Sequence, residues 1–122
     1  PGYSQAVLRT WFDEPDGWLA ERIRRHQAIR DDLIKVFRTV AGLSIRTPEG
    51  GSYLFPRLPA LSLTLPDFVR ALRVQAGATV TPGTEFDPEA TDSIRLNFSQ
   101  NHQAAVRAVE RIAQLIGRYP RA

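Results

Sequence analysis

The stretch TDSIRLNFSQ, residues 91–100, sets one charged side chain in the middle of an apolar alternation. In an extended chain Ile94, Leu96 and Phe98 fall on one face, and Arg95, Asn97 and Ser99 fall on the other. Arg95 therefore points away from the core. A guanidinium so placed can grip a carboxylate through two parallel hydrogen bonds, a geometry that the ammonium of lysine does not reproduce. The bland alternative is an arginine that meets water or a neighbouring acid, for which Glu85 is the candidate.

The other groups that could do chemistry are few. His26 and His102 lie in helical patterns far apart in sequence, with no HExxH spacing, and read as surface or capping residues. No GxSxG elbow, GxGxxG fingerprint or P-loop is present. The Gly50-Gly51 pair reads as a tight turn that needs positive φ. The chain has no cysteine, which excludes disulfides, thiolate metal sites and cysteine nucleophiles.

Placing Arg95 requires a scaffold, and hydrophobic periodicity supplies its outline. Residues 3–12 suggest a short helix, and Asp13 is the expected N-cap of a second, with Pro15 and Asp16 in its first turn. Leu19, Ile23, Leu33, Phe37 and Val40 recur at helical spacing to about residue 41, with Gly42 as the stop. Such a helix is longer than the core of a domain this size, so part of it should pack on something else or stand free.

Segments 43–46 and 52–58 read as short strands around a Pro-Glu-Gly-Gly hairpin or sharp corner. Thr64 and Asp67 start a helix through Phe68, Ala71 and Leu72 that Gly77 closes. Strands are expected at 78–81, stopped by Pro82-Gly83, and at 93–98. Asn101 is the expected cap of a last helix with Ala105, Val109, Ile112 and Ile116 in one stripe. This order predicts an α+β fold: a small, mostly antiparallel sheet covered on one face by helices and preceded by a long connecting helix. Residues 1–122 form one domain in this reading, with connecting helices at 1–41 and an α/β core at 42–122. The face carrying Arg95 and Asn97 has no element left to cover it.

Composition narrows the function. Of the sixteen basic residues, all but Lys35 are arginine, and the net charge is +3. The densest basic run, from Glu21 to Arg38, is interleaved with Glu21, Asp31 and Asp32, as expected of a solvated helix face. No aromatic-rich binding strand accompanies it, so neither nucleic acid nor membrane is expected as a partner. No apolar run approaches a membrane span and no signal pattern opens the chain, so a cytoplasmic location is expected.

The succession PEGGSYLFPRL, a helix, ATVTPGTEFDP, then SIRLNFS and a terminal helix resembles the C-terminal small domain of the class I/II aminotransferases, pyridoxal-phosphate enzymes of fold type I. YSQAVLRTWF and WLAERIRRHQAIRDDLIKVF resemble the connecting segments that follow the large domain in that family. The resemblance implies that Arg95 binds the α-carboxylate of an amino-acid substrate and that Tyr53 lines the substrate side of the cleft. It also implies amino-acid and 2-keto-acid substrates and a homodimeric full-length parent. The Schiff-base lysine and the residues that hold the cofactor belong to the family's large domain, which is absent here. Lys35 lies in the connecting helix and does not match that lysine, so neither activity nor bound pyridoxal phosphate is expected of this chain alone. A free-standing interaction domain of the same fold, without catalysis, is the competing reading.

Overall fold

The structure is a computed structural model and describes residues 2–122. Helix α1, Gly2–Trp11, has no buried residue. It is followed by α2, Trp18–Arg38. The connection corrects the expected cap at Asp13. Phe12, Asp13 and Glu14 donate their amides to Arg9, Thr10 and Trp11 in successive turns, and α2 begins only after Gly17, which holds φ at 81°. Pro15 disfavours helical backbone at Glu14, and Gly17 can reverse the chain where a residue with a Cβ would be strained. Helix α2 ends at Arg38 rather than near 41, with Thr39 as its C-cap and Gly42 at φ 76°.

Only the second half of α2 reaches the core. Ile29, Leu33, Ile34 and Phe37 are buried, whereas Leu19 and Ile23 are about half exposed, so these two do not join the stripe the periodicity suggested. At 1.5 Å per residue the helix runs about 30 Å. Its first half adds no buried residue to the core.

Three strands form the sheet: β1, Tyr53–Leu54; β2, Thr81–Pro82; and β3, Ile94–Asn97. Their order is β1-β3-β2, and β3 pairs antiparallel with both neighbours. The register sets Tyr53 opposite Asn97 and Thr81 opposite Arg95. Two expectations shrink. Segment 43–46 contributes a single bridge, Ser44 to Arg57, so the Pro-Glu-Gly-Gly segment is a corner and not a hairpin. Segment 78–81 is extended with Ala78 and Val80 buried, but its ladder begins at Thr81 and includes Pro82, which was expected to end it. Pro82 is tolerated because β2 is an edge strand.

Helix α3, Leu65–Ala71, continues into a wider π-helical turn, Leu72–Ala76, that Gly77 closes at φ 61°. Thr64 caps it by accepting the Asp67 amide at 3.3 Å. The last helix, α4, His102–Arg118, is capped by Asn101, whose side chain accepts the Ala104 amide at 3.0 Å. Ala105, Val109, Ile112 and Ile116 are all buried, as the stripe required, together with Leu115. Side chains of α2, α3 and α4 meet Leu54, Ile94, Leu96 and Phe98 in one core. The result is the expected α+β layer, with one sheet face under helices and the other bare.

Candidate functional site on the open sheet face

Alternation decides which residues reach the open face. Along 53–58, Leu54, Pro56 and Leu58 are buried while Tyr53, Phe55 and Arg57 are exposed. Along β3, Ile94 and Leu96 are buried, Arg95 is half-buried and Asn97 is exposed. Tyr53 and Arg95 therefore emerge on the same side from adjacent strands.

The structure brings them together and adds a residue that sequence reasoning missed. The Arg95 guanidinium carbon lies 4.3 Å from the Tyr53 ring centroid and 4.3 Å from that of Phe86. Phe55 packs edge to face against Phe86, with centroids 6.0 Å apart. Phe86 sits in the loop after β2, where no periodicity marks it. Its presence in TEFDP carries no sign that it folds back over β3.

Among the described residues no carboxylate pairs with Arg95, so the anticipated partner Glu85 does not quench it. Both ring distances lie within the range of a cation–π contact. Among the described residues the Arg95 N–H donors have no protein partner and no buried side-chain nitrogen is left unsatisfied, so they reach solvent. This is an arginine flanked by two aromatic rings, with its N–H donors free of protein partners among the described residues. What it can bind is a planar anion with two acceptors.

The remaining candidates are structural. His26 donates from Nδ1 to the Arg22 carbonyl at 3.0 Å, and its Nε2 meets the Ser99 hydroxyl at 2.9 Å, which ties α2 to the end of β3. His102 donates from Nε2 to Asp32 at 2.8 Å, which ties α4 to α2. Asp32 lies below its ordinary carboxylate pKa, first because of the His102 hydrogen bond and then that of Lys35. Of the glycine pair, only Gly51 takes positive φ, at 72°. Among the described residues no cluster of three His, Asp or Glu side chains could hold a metal.

At the rim of the site Arg57 forms an ion pair with Asp92. Hydrogen bonding from Arg57, above all, holds the Asp92 carboxyl below its ordinary pKa, with Ser93 adding and burial opposing. A carboxyl whose pKa is depressed by folding adds stability above its unfolded pKa and loses it as pH falls through the folded one. Acidification from about pH 5 through pH 3 should therefore lower the urea midpoint of the domain, and Asp92→Asn should make that decline shallower. An unchanged slope in the variant would remove Asp92 from the acid response. The effect is small because both side chains are well exposed.

No protein-family model matches the chain. Individual proteins do. It is 61% identical to an aspartate aminotransferase of Rhodobacter sphaeroides, whose structure it matches with a TM-score of 0.95 over 98% of this chain and 30% of that one. The chain belongs to the fold type I aminotransferases. It is also 34% identical over 100 residues to the aspartate/prephenate aminotransferase of Thermus thermophilus, covering 80% of this chain and 25% of that protein. An aminotransferase of Clostridium difficile with pyridoxal phosphate bound shares the fold at 22% identity, with a TM-score of 0.76 over 86% of this chain and 27% of that one. The chain spans about a quarter of the length of the curated relatives it matches. Its fold is that of an aminotransferase small domain.

Pyridoxal phosphate is the cofactor expected of these relatives, and the side chains described here do not fit it. The group needs a lysine amine, and Lys35 is exposed on α2, paired with Asp32 at 3.2 Å. Asp32 is bonded in turn to His102 at the head of α4, which keeps this amine on the helical layer and away from the face of Arg95. No helix of the described residues is long and apolar enough to cross a membrane.

Proposed function

We propose that the chain is the small-domain part of a pyridoxal-phosphate aminotransferase that moves an amino group between an amino acid and a 2-keto acid. Its contribution is Arg95, which binds the substrate α-carboxylate. The observation that carries this reading is the Arg95 guanidinium, which lies against the Tyr53 and Phe86 rings on the open sheet face and pairs with no acid among the described residues. Amino acids and 2-keto acids share the α-carboxylate, so one arginine serves both halves of the exchange. Tyr53 belongs to the substrate side of the same cleft through its contact with Arg95.

Holding the carboxylate fixes the orientation of the neighbouring Cα–H bond, and such positioning is a recognised source of rate. The lysine and the cofactor cradle come from outside this chain, in a large domain that closes over the bare sheet face. The full-length enzyme is a homodimer in this reading, and it works in the cytoplasm. Its test compares an amino acid with its α-carboxamide as substrate or inhibitor of the full polypeptide. The wild type should discriminate strongly for the carboxylate, and Arg95→Lys should lose most of that discrimination. Equal discrimination in the two proteins would reject the assignment.

A further inference from the structure

A guanidinium on an arginine stem has several free torsions, so a carboxylate site built on it costs conformational entropy each time it binds unless something holds the group beforehand. Here the holding comes from both edges of the sheet. Tyr53 arrives from β1, and Phe86 arrives from the loop beyond β2, and both rings close on a side chain of the central strand. Tyr53 is on an adjacent strand, opposite Asn97 and so diagonal to Arg95, and the sheet by itself brings its ring within reach. Phe86 needs a built loop.

That loop is tightly closed. After β2 the chain makes a turn at Gly83–Glu85, and the Phe86 amide donates to the Gly83 carbonyl at 2.9 Å. The Gly83 amide donates in turn to the Ser93 carbonyl at 2.7 Å, two residues ahead of Arg95. A Cβ on Gly83 would lie 2.6 Å from the Ala90 carbonyl oxygen and 2.9 Å from that of Ser93, so only glycine lets the loop approach β3 this closely. Phe55 then buttresses the Phe86 ring from the side at an interplanar angle of 72°. Phe86 is about half exposed, so its ring stays on the open face beside the guanidinium.

We infer that Phe86 is a positioning residue for the carboxylate-binding arginine: it clamps the Arg95 guanidinium against Tyr53 so that the donor edge is set before substrate arrives. The inference rests on Arg95 being that arginine. Phe86 touches no reacting atom and acts through Arg95 alone. Its removal should therefore weaken ligands that carry the carboxylate and spare ligands that lack it.

The experiment uses the full polypeptide with pyridoxal phosphate bound, cofactor absorbance serving as the check on folding. Phe86→Leu, Phe86→Tyr and Arg95→Lys are compared for steady-state kinetics. They are also compared for competitive inhibition by two probes: the carboxylic acid that lacks the substrate's amino group, and its carboxamide. One stacking contact on a guanidinium is worth roughly a three- to tenfold change in affinity. Phe86→Leu should raise KM and the acid's inhibition constant by about that factor, with kcat and carboxamide inhibition within about twofold of wild type. Phe86→Tyr should restore both constants, because it keeps the ring.

If Arg95→Lys weakens the acid and Phe86→Leu does not, the positioning role is overturned and the carboxylate role of Arg95 stands. If neither variant weakens the acid, both readings fall. A Phe86→Leu protein that loses carboxamide and acid binding equally, or that Phe86→Tyr does not rescue, would make Phe86 a packing residue and also overturn the inference.

Discussion

Arg95→Lys in the full enzyme is expected to lower kcat/KM for an amino-acid substrate by at least tenfold while cofactor absorbance stays at the wild-type level. Lysine keeps the positive charge, so the loss measures geometry. A guanidinium presents two parallel N–H donors to a carboxylate, and an ammonium replaces them with one contact from a differently placed atom. One hydrogen bond to a charged group is worth about 1.5 to 3 kcal/mol, which converts to roughly a ten- to one-hundred-and-fifty-fold loss. The ammonium also has no flat face to offer the Tyr53 and Phe86 rings that contact the guanidinium. Both effects act in the same direction. Wild-type kinetics in a folded, cofactor-loaded variant would remove Arg95 from the site.

Phe37→Ala is expected to cost the domain about 3 to 5 kcal/mol, read as a fall in the urea midpoint by far-UV circular dichroism. Phe37 is the last buried residue of α2 and is fully inaccessible, in the same core as Phe68, Leu72 and the buried face of α4. Truncating it removes a large apolar surface from contact and leaves a cavity that packed helices fill only in part. A domain of this size has a total stability of about 5 to 15 kcal/mol, so the variant should sit near the edge of folding. Phe37→Leu, which fills more of the same space, should retain more of the stability. A loss below about 1 kcal/mol in the alanine variant would mean that α2 does not pack on the core as described.

Much of the scaffold was legible in the sequence because local chemistry and tertiary packing agree there. The caps at Thr64 and Asn101, the stop at Gly77 and the stripe of α4 each follow from residue type and spacing, and each stands in the structure. The alternation that turned Arg95 away from Ile94, Leu96 and Phe98 was equally plain, because a period of two leaves only one way to bury three apolar side chains.

What misled was context beyond the local pattern. Asp13 has the chemistry of an N-cap, but Pro15 and Gly17 hold the intervening residues in turns, so the helix starts later. Leu19 and Ile23 carry the helical period, yet the described residues cover them only about half. Segment 43–46 has strand-like composition, yet it meets the 52–58 segment at only one bridge, Ser44 to Arg57.

The site was half legible. Arg95 stood out because a charged residue interrupts an apolar strand, and Tyr53 entered through resemblance alone. Phe86 could not be found by periodicity, since its contact depends on Gly83 drawing a loop against β3, and close approach of two backbones leaves no pattern in one sequence beyond the glycine itself. The exposed aromatic side chains Tyr53, Phe55 and Phe86 gather around a single unpaired guanidinium, and that grouping is a product of the fold.

The most direct measurement is a crystal structure of the full polypeptide with pyridoxal phosphate and an unreactive amino-acid analogue bound. Both α-carboxylate oxygens should lie within about 2.7 to 3.2 Å of Arg95 guanidinium nitrogens, with the Tyr53 and Phe86 rings still against the guanidinium. An α-carboxylate held by a different cation, with Arg95 turned to solvent or paired to protein, would contradict the carboxylate role of Arg95.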